Sequence, residues 1–216
     1  MKNYKYILFD LDGTLTEPAE GITNSVAYAL DKAGLPYDSK ESLKKYIGPP
    51  LHESFAEDYG LSLEQGLQMV DYYREYYTVK GLFENRLFDG IPELLSHLKD
   101  KGKTLIVATS KPEVYSIKIL ENFGILKYFD FVSGATLDSS RVKKADVIAH
   151  ALDSLKIFDT SEMLMVGDRH HDIEGAAHHG IDSLGVLFGY GSREELCGAG
   201  ATYIAETVED IKKFII

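Results

Sequence analysis

Short apolar runs alternate with amphipathic stretches along most of this chain, and that rhythm limits the folds open to it. Tyr4–Phe9, Lys103–Ala108, Phe129–Ser133, Met163–Val166 and Ser183–Leu187 each read as a strand, and Thr202–Ile204 as a shorter one. Helical patterns lie between them. One starts near Pro92 and stops at Gly102, one runs from Pro112 to Gly124, and one covers Lys144–Leu155. Another ends at Gly180, and Val208–Phe214 closes the chain. Strands spaced by helices of this length build βαβ units, and βαβ units build a parallel sheet. The strands are nearly continuous apolar runs, as a sheet covered on both faces requires.

The rhythm breaks once. From about Glu17 to Arg86 no buried-strand run occurs, and the pattern is helical over Ile22–Ala33, Ser39–Tyr46, Leu51–Tyr59 and Ser62–Lys80. Ser62 and Gln65 have the spacing of a capping box. Gly34, Gly48-Pro49-Pro50, Gly60 and Gly81 punctuate the pieces. The expectation is an α/β chain with a doubly wound, mostly parallel, Rossmann-like sheet in residues 1–16 and 87–216. An all-helical unit in residues 17–86 is inserted after the first strand.

Composition narrows the function. The net charge is -11, from 34 acids against 23 bases, and no basic face is visible such as phosphate contacts to a nucleic acid demand. No apolar run approaches the ~20 residues that span a bilayer. The N-terminal run reaches Asp10 too early for a secretory segment, and the one cysteine, Cys197, forbids an intrachain disulfide. The expectation is a cytoplasmic protein with a small-molecule partner, not a nucleic acid or a membrane.

Open parallel sheets bind ligands at the carboxyl ends of their strands, so the polar groups there matter most. Asp10 and Asp12 follow the first strand, in Asp10-Leu11-Asp12-Gly13-Thr14. Thr109 and Ser110 follow the second, and Asp168 and Asp172 the fourth. Lys143 and Lys144 open the helix leading into that fourth strand. Each piece has a plainer reading: Asp-Gly punctuates turns, Thr109-Ser110 could cap a helix before Pro112, and Lys144 could be a solvated helix residue. An EF-hand is excluded, since the third ligand and the closing glutamate are missing. Together the groups suit magnesium-assisted phosphoryl transfer. Carboxylates ~4 Å apart repel by about 4 kcal/mol at an effective dielectric near 20. Mg²⁺ relieves that with oxygen ligands it shares with a substrate phosphate, and an aspartyl phosphate is an accepted covalent intermediate.

In these motifs and their order the whole chain resembles the haloacid dehalogenase-like hydrolase superfamily, in its phosphatase branch with a helical cap. The resemblance implies roles residue by residue. Asp10 is the nucleophile and a metal ligand. Asp12 protonates the leaving oxygen and then activates water, with its backbone carbonyl on the metal. Thr109, with Ser110 beside it, binds the phosphoryl group, and Lys144 (or its neighbour Lys143) neutralises charge. Asp168 ligates Mg²⁺ and Asp172 orients that shell. The insert closes over a small phosphorylated metabolite. A phosphoglycolate-like substrate comes first and a 5′-nucleotide next, because Ser110 and Arg169 depart from the phosphoglycolate subgroup. A phosphomutase of the same fold and a non-enzymatic phospho-acceptor module are the alternatives.

Some features stand outside this reading. His170, His171, His178 and His179 lack the H-E-x-x-H spacing of zinc hydrolases and read as a polar helix face near the rim of the site. Tyr72, Tyr73, Tyr76 and Tyr77 repeat as helix packing. Cys197 shows no sign of a reactive thiol. His52, the only histidine of the insert, follows the stiff Gly48-Pro49-Pro50 entry and is a candidate for touching substrate, against a plain surface role.

Overall fold

The computed structural model describes residues 2–138 and 140–215. The chain divides into two compact units, Met1–Glu17 with Leu87–Ile216, and Pro18–Arg86. In chain order the strands are β1 (Tyr6–Phe9), β2 (Thr16–Glu17), β3 (Arg86–Leu87), β4 (Thr104–Pro112), β5 (Phe131–Ala135), β6 (Met163–Gly167), β7 (Asp182–Val186) and β8 (Tyr203–Ala205). The helices are α1 (Ala19–Ala33), α2 (Leu51–Tyr59), α3 (Leu63–Tyr76), α4 (Ile91–Asp100), α5 (Glu113–Asn122), α6 (Lys144–Leu155), α7 (His170–His178), α8 (Arg193–Gly198) and α9 (Val208–Ile215). None of the described helices is long and apolar enough to cross a membrane.

Six strands form one parallel sheet in the order β5-β4-β1-β6-β7-β8. β1 lies between β4 and β6, with Phe9 level with Val107 on one side and Val166 on the other. Asp10 therefore leaves the sheet beside the ends of both neighbours, and its N–H donates to Val166 O at 2.9 Å. One face of the sheet is closed by Leu8, Ile106, Met163 and Met165, packed with Val147, Ile148 and Ala151 of α6 and Ala176 of α7. Ile7, Phe9, Leu105, Val107, Leu164 and Val166 have no exposed surface either. Both faces are thus covered, and the doubly wound parallel sheet is the one the apolar strands imply.

β4 differs from the sequence reading. It runs past Ala108 through Thr109 and Ser110 to Pro112, with a register shift between Ala108 and Pro112. Pro112 precedes α5 and no side chain caps that helix, so Thr109-Ser110 is not a helix cap.

The Pro18–Arg86 unit is helical, with one correction. Ser39–Tyr46 is a 3₁₀ turn over Glu41–Tyr46. Ser39 and Ser42 bond each other's backbone there, Ser42 N to Ser39 Oγ at 3.3 Å and Ser42 Oγ to Ser39 O at 2.7 Å, which competes with α-helical bonding. The long helix read from Ser62 to Lys80 is present, α-helical over Leu63–Tyr76 and continuing as a wider π turn over Tyr77–Gly81, with Leu82 N donating to Tyr77 O. Gly81, the last residue of that turn, has its backbone against Gly21 of α1. A Cβ on Gly21 would stand 1.9 Å from Gly81 O. The Ser62–Gln65 capping box is present, with both reciprocal bonds formed.

Candidate active site

The carboxyl ends of β1, β4 and β6 bring Asp10, Thr109 and Asp168 to one edge of the sheet. Lys144, the first residue of α6, reaches the same place. Its stem passes beside Gly175 of α7, where a Cβ would meet Lys144 Cγ at 2.7 Å. Its Nζ donates to Ala108 O at 2.9 Å and stands 2.8 Å from Asp10 Oδ1 and 2.7 Å from Asp172 Oδ1. Lys143 is exposed and precedes the helix. Of the two lysines, Lys144 is the one beside the carboxylates.

Asp168 is fully buried. Its Oδ2 accepts from Tyr190 N at 2.8 Å, and its Oδ1 from Thr14 Oγ1 at 3.4 Å. Glycine makes the space. A Cβ on Gly13, where φ is +85°, would lie 2.2 Å from Asp168 Oδ2, and one on Gly189 would lie 2.4 Å from Asp168 Cβ. Asp172 sits in the first turn of α7, and its Oδ2 accepts from Arg169 N at 3.1 Å.

Carboxylate oxygens of Asp10, Asp168 and Asp172 approach within 4.8 Å of one another. Three buried acids face one ammonium, and the pKa shifts follow. Burial and the charges of Asp172 and Asp10 hold Asp168 well above the carboxylate range. Burial pushes Asp172 up to about 6, Lys144 opposing and Asp10 adding to the rise. Burial works against the charge on Lys144, but Asp10 and Asp172 outweigh it and raise its pKa.

This donor set fits a hard divalent cation. All its ligating atoms are oxygens, and a cation relieves the excess of negative charge. Lys144 Nζ engages only one oxygen each of Asp10 and Asp172, at 2.8 and 2.7 Å, and its single positive charge does not balance three buried acids.

Asp12 is half-buried and ion-pairs through Oδ2 with Lys111 Nζ. Thr109 is buried, and its Oγ1 accepts from Lys111 N at 3.2 Å; Ser110 is exposed. His52 belongs to the other unit, half-buried on α2, with Nε2 3.7 Å from Glu53 Oε1.

Sequence reasoning passed over Lys111, Thr14 and Tyr190. Thr14 closes the Asp10–Thr14 motif and Lys111 stands between Ser110 and Pro112, and neither carries a role in the sequence reading. The signal for Tyr190 was Gly189-Tyr190-Gly191, a glycine-flanked turn following a strand end, where backbone must come close to another group. Tyr190 also donates its hydroxyl to Glu17 Oε1 at 2.7 Å.

Comparisons with known proteins agree with this geometry. A family model described as haloacid dehalogenase-like hydrolase matches residues 7–186. A 5′-nucleotidase of Pseudomonas aeruginosa is 46% identical over 193 residues, 89% of this chain and 87% of that protein. The tyrosine-protein kinase PtkA of Mycobacterium tuberculosis is 41% identical over 96% of this chain and 71% of its own. Phosphoglycolate phosphatases stand further off, that of Vibrio parahaemolyticus at 29% identity over 99% of this chain and 97% of its own. The crystal structure of a predicted phosphatase from Clostridium acetobutylicum superposes with a TM-score of 0.93 at 48% identity, covering 99% of both chains. The chain belongs to the haloacid dehalogenase-like hydrolase family and is a phosphoric monoester hydrolase.

Proposed function

We propose that the protein is a Mg²⁺-dependent phosphatase that hydrolyses small phosphomonoesters through a phosphorylated Asp10. The observation that carries this reading is Lys144 held between Asp10 and Asp172, with Asp168 completing a buried oxygen cluster at the end of the central strand. Asp10 and Asp168, with the Asp12 carbonyl, would hold Mg²⁺, which neutralises charge and lets two anions meet.

In the first half-reaction an Asp10 oxygen attacks phosphorus, and the substrate's ester oxygen leaves with a proton from Asp12. In the second, Asp12 takes a proton from water, and that water opens the acyl phosphate to give free phosphate and Asp10. Lys144 offsets charge on Asp10, and Thr109 positions the phosphoryl oxygens. Lys111 adds a second ammonium beside Asp12. The helical unit Pro18–Arg86 is assigned the selection of the leaving group, with His52 as its candidate residue.

Sequence alone puts phosphoglycolate first; the 46% identical 5′-nucleotidase favours the opposite order. A nucleoside 5′-monophosphate is therefore the first substrate to test and phosphoglycolate the second. The PtkA relative supports a second reading, transfer from Asp10 to a hydroxyl acceptor in place of water. Phosphate release across nucleoside monophosphates and phosphoglycolate, with Mg²⁺ and with chelator, tests the proposal. The expected result is metal-dependent release that is fastest with nucleotides. Full activity in chelator contradicts the metal assignment, and transfer to a tyrosine peptide without phosphate release contradicts hydrolysis.

A further inference from the structure

Outside the acid cluster, one group of side chains has the makings of a second metal centre. His170, His171 and Glu174 offer ligating atoms that all lie within 4.8 Å of one another. The three occupy positions i, i+1 and i+4 of α7, so Glu174 is one turn from both histidines. The two imidazole rings are close, with centroids 3.7 Å apart.

A separate contact orients the pair. His170 Nδ1 lies 2.8 Å from Glu195 Oε1 on α8. A carboxylate on Nδ1 favours the proton there and leaves the Nε2 lone pair free, the arrangement that carboxylate–histidine pairs use to present a metal ligand. The same Glu195 oxygen accepts from Arg169 Nε at 2.8 Å and from His170 N at 2.9 Å. The positive charge of Arg169 is thus compensated at the point where a cation would arrive, and Glu174 adds a negative one against the helix N-terminus. His171 and Glu174 are exposed, so water can complete the coordination.

We propose that His170, His171 and Glu174 form a site for a borderline divalent cation of the zinc class, distinct from the oxygen-only Mg²⁺ site. Two imidazoles and one carboxylate suit Zn²⁺ or Co²⁺ and suit Mg²⁺ poorly. Zinc-to-ligand distances of ~2.1 Å in tetrahedral geometry put two ligands ~3.4 Å apart, so the ligand atoms, within 4.8 Å of one another, close on an ion through side-chain rotations that move them by about 1–1.5 Å. An ion here staples the first turn of α7, the turn that carries Asp172, to the Glu195 contact. The H-E-x-x-H test failed to find this group because its histidines are adjacent and its second shell comes from residue 195.

The experiment is a calorimetric titration of tag-free, chelator-stripped protein with Zn²⁺ in millimolar Mg²⁺, with Co²⁺ absorption to report nitrogen ligation. The variants are His171→Ala, Glu174→Gln and Asp10→Asn. The expected result is one equivalent of Zn²⁺ bound, weakened at least tenfold by His171→Ala or Glu174→Gln and kept by Asp10→Asn. Loss of Zn²⁺ binding in Asp10→Asn alone would mean that the ion sits among the buried acids, and would overturn the proposal. So would no stoichiometric uptake, or equal affinity in wild type, His171→Ala and Glu174→Gln.

Discussion

Asp172 lies beside Lys144, yet burial and Asp10 still push its pKa up to about 6. In the unfolded chain it titrates near the ordinary carboxylate value. Between those values the folded state holds the proton and the unfolded state does not. Asp172 therefore contributes stability that is complete below about pH 4 and is lost as pH rises through about 6, with a slope of at most about 1.4 kcal/mol per pH unit. Denaturant midpoints measured from pH 4 to 7 should show that fall, and Asp172→Asn should flatten it. Mg²⁺ competes with protons for the same oxygens, so it should raise the melting temperature more at pH 7.5 than at pH 5; an equal rise at both would count against the metal site. Lys144→Ala leaves three buried acids without their ammonium. Breaking a buried pair in this way costs about 3–5 kcal/mol, and chemical denaturation at pH 7 should register a loss of that size, together with a loss of turnover on every substrate. The site carboxylates were legible because each follows an apolar strand. Lys111 was not, because a lysine after a strand carries no signal until the bulge of β4 turns it onto Asp12.

At the scale of elements, glycine spacing and side-chain bonding decided what periodicity could not. Leu51–Tyr59 and Lys144–Leu155 match the helices read from the sequence residue for residue, since a cap or a turn bounds each end. The helix expected to reach Lys80 does so, but widens from α to π form after Tyr76, and in that turn Gly81 meets Gly21 backbone to backbone, a contact between residues sixty positions apart that no local pattern reveals. Gly21→Ala places a methyl 1.9 Å from Gly81 O and should destabilise the helical unit by about 3 kcal/mol, the upper end for overpacking. Ser62→Ala removes the capping box and should cost about 1 kcal/mol. Denaturant unfolding followed by helical circular dichroism measures both. A smaller loss for Gly21→Ala than for Ser62→Ala would show that the Gly21–Gly81 approach is not a tight contact.

At the scale of the whole chain, the sheet order puts the first strand between the second and fourth main strands, and this gathers residues 10, 109 and 168 from distant parts of the sequence. The alternation of strands and helices made that gathering foreseeable, because a doubly wound sheet opens its binding edge where the winding reverses. What periodicity could not supply is the turn after β7, where Tyr190 meets Asp168 through its backbone. The central claim is that phosphorus becomes bonded to Asp10. The most direct measurement is an acid quench during turnover of a nucleoside monophosphate with Mg²⁺, followed by mass spectrometry of the peptide that contains Asp10. The account predicts a phosphoryl group on Asp10 that hydroxylamine removes and that Asp10→Asn lacks, with turnover in that variant reduced on the order of a thousandfold or more. An unmodified Asp10 peptide during steady turnover, or near-wild-type phosphate release by Asp10→Asn, would contradict it.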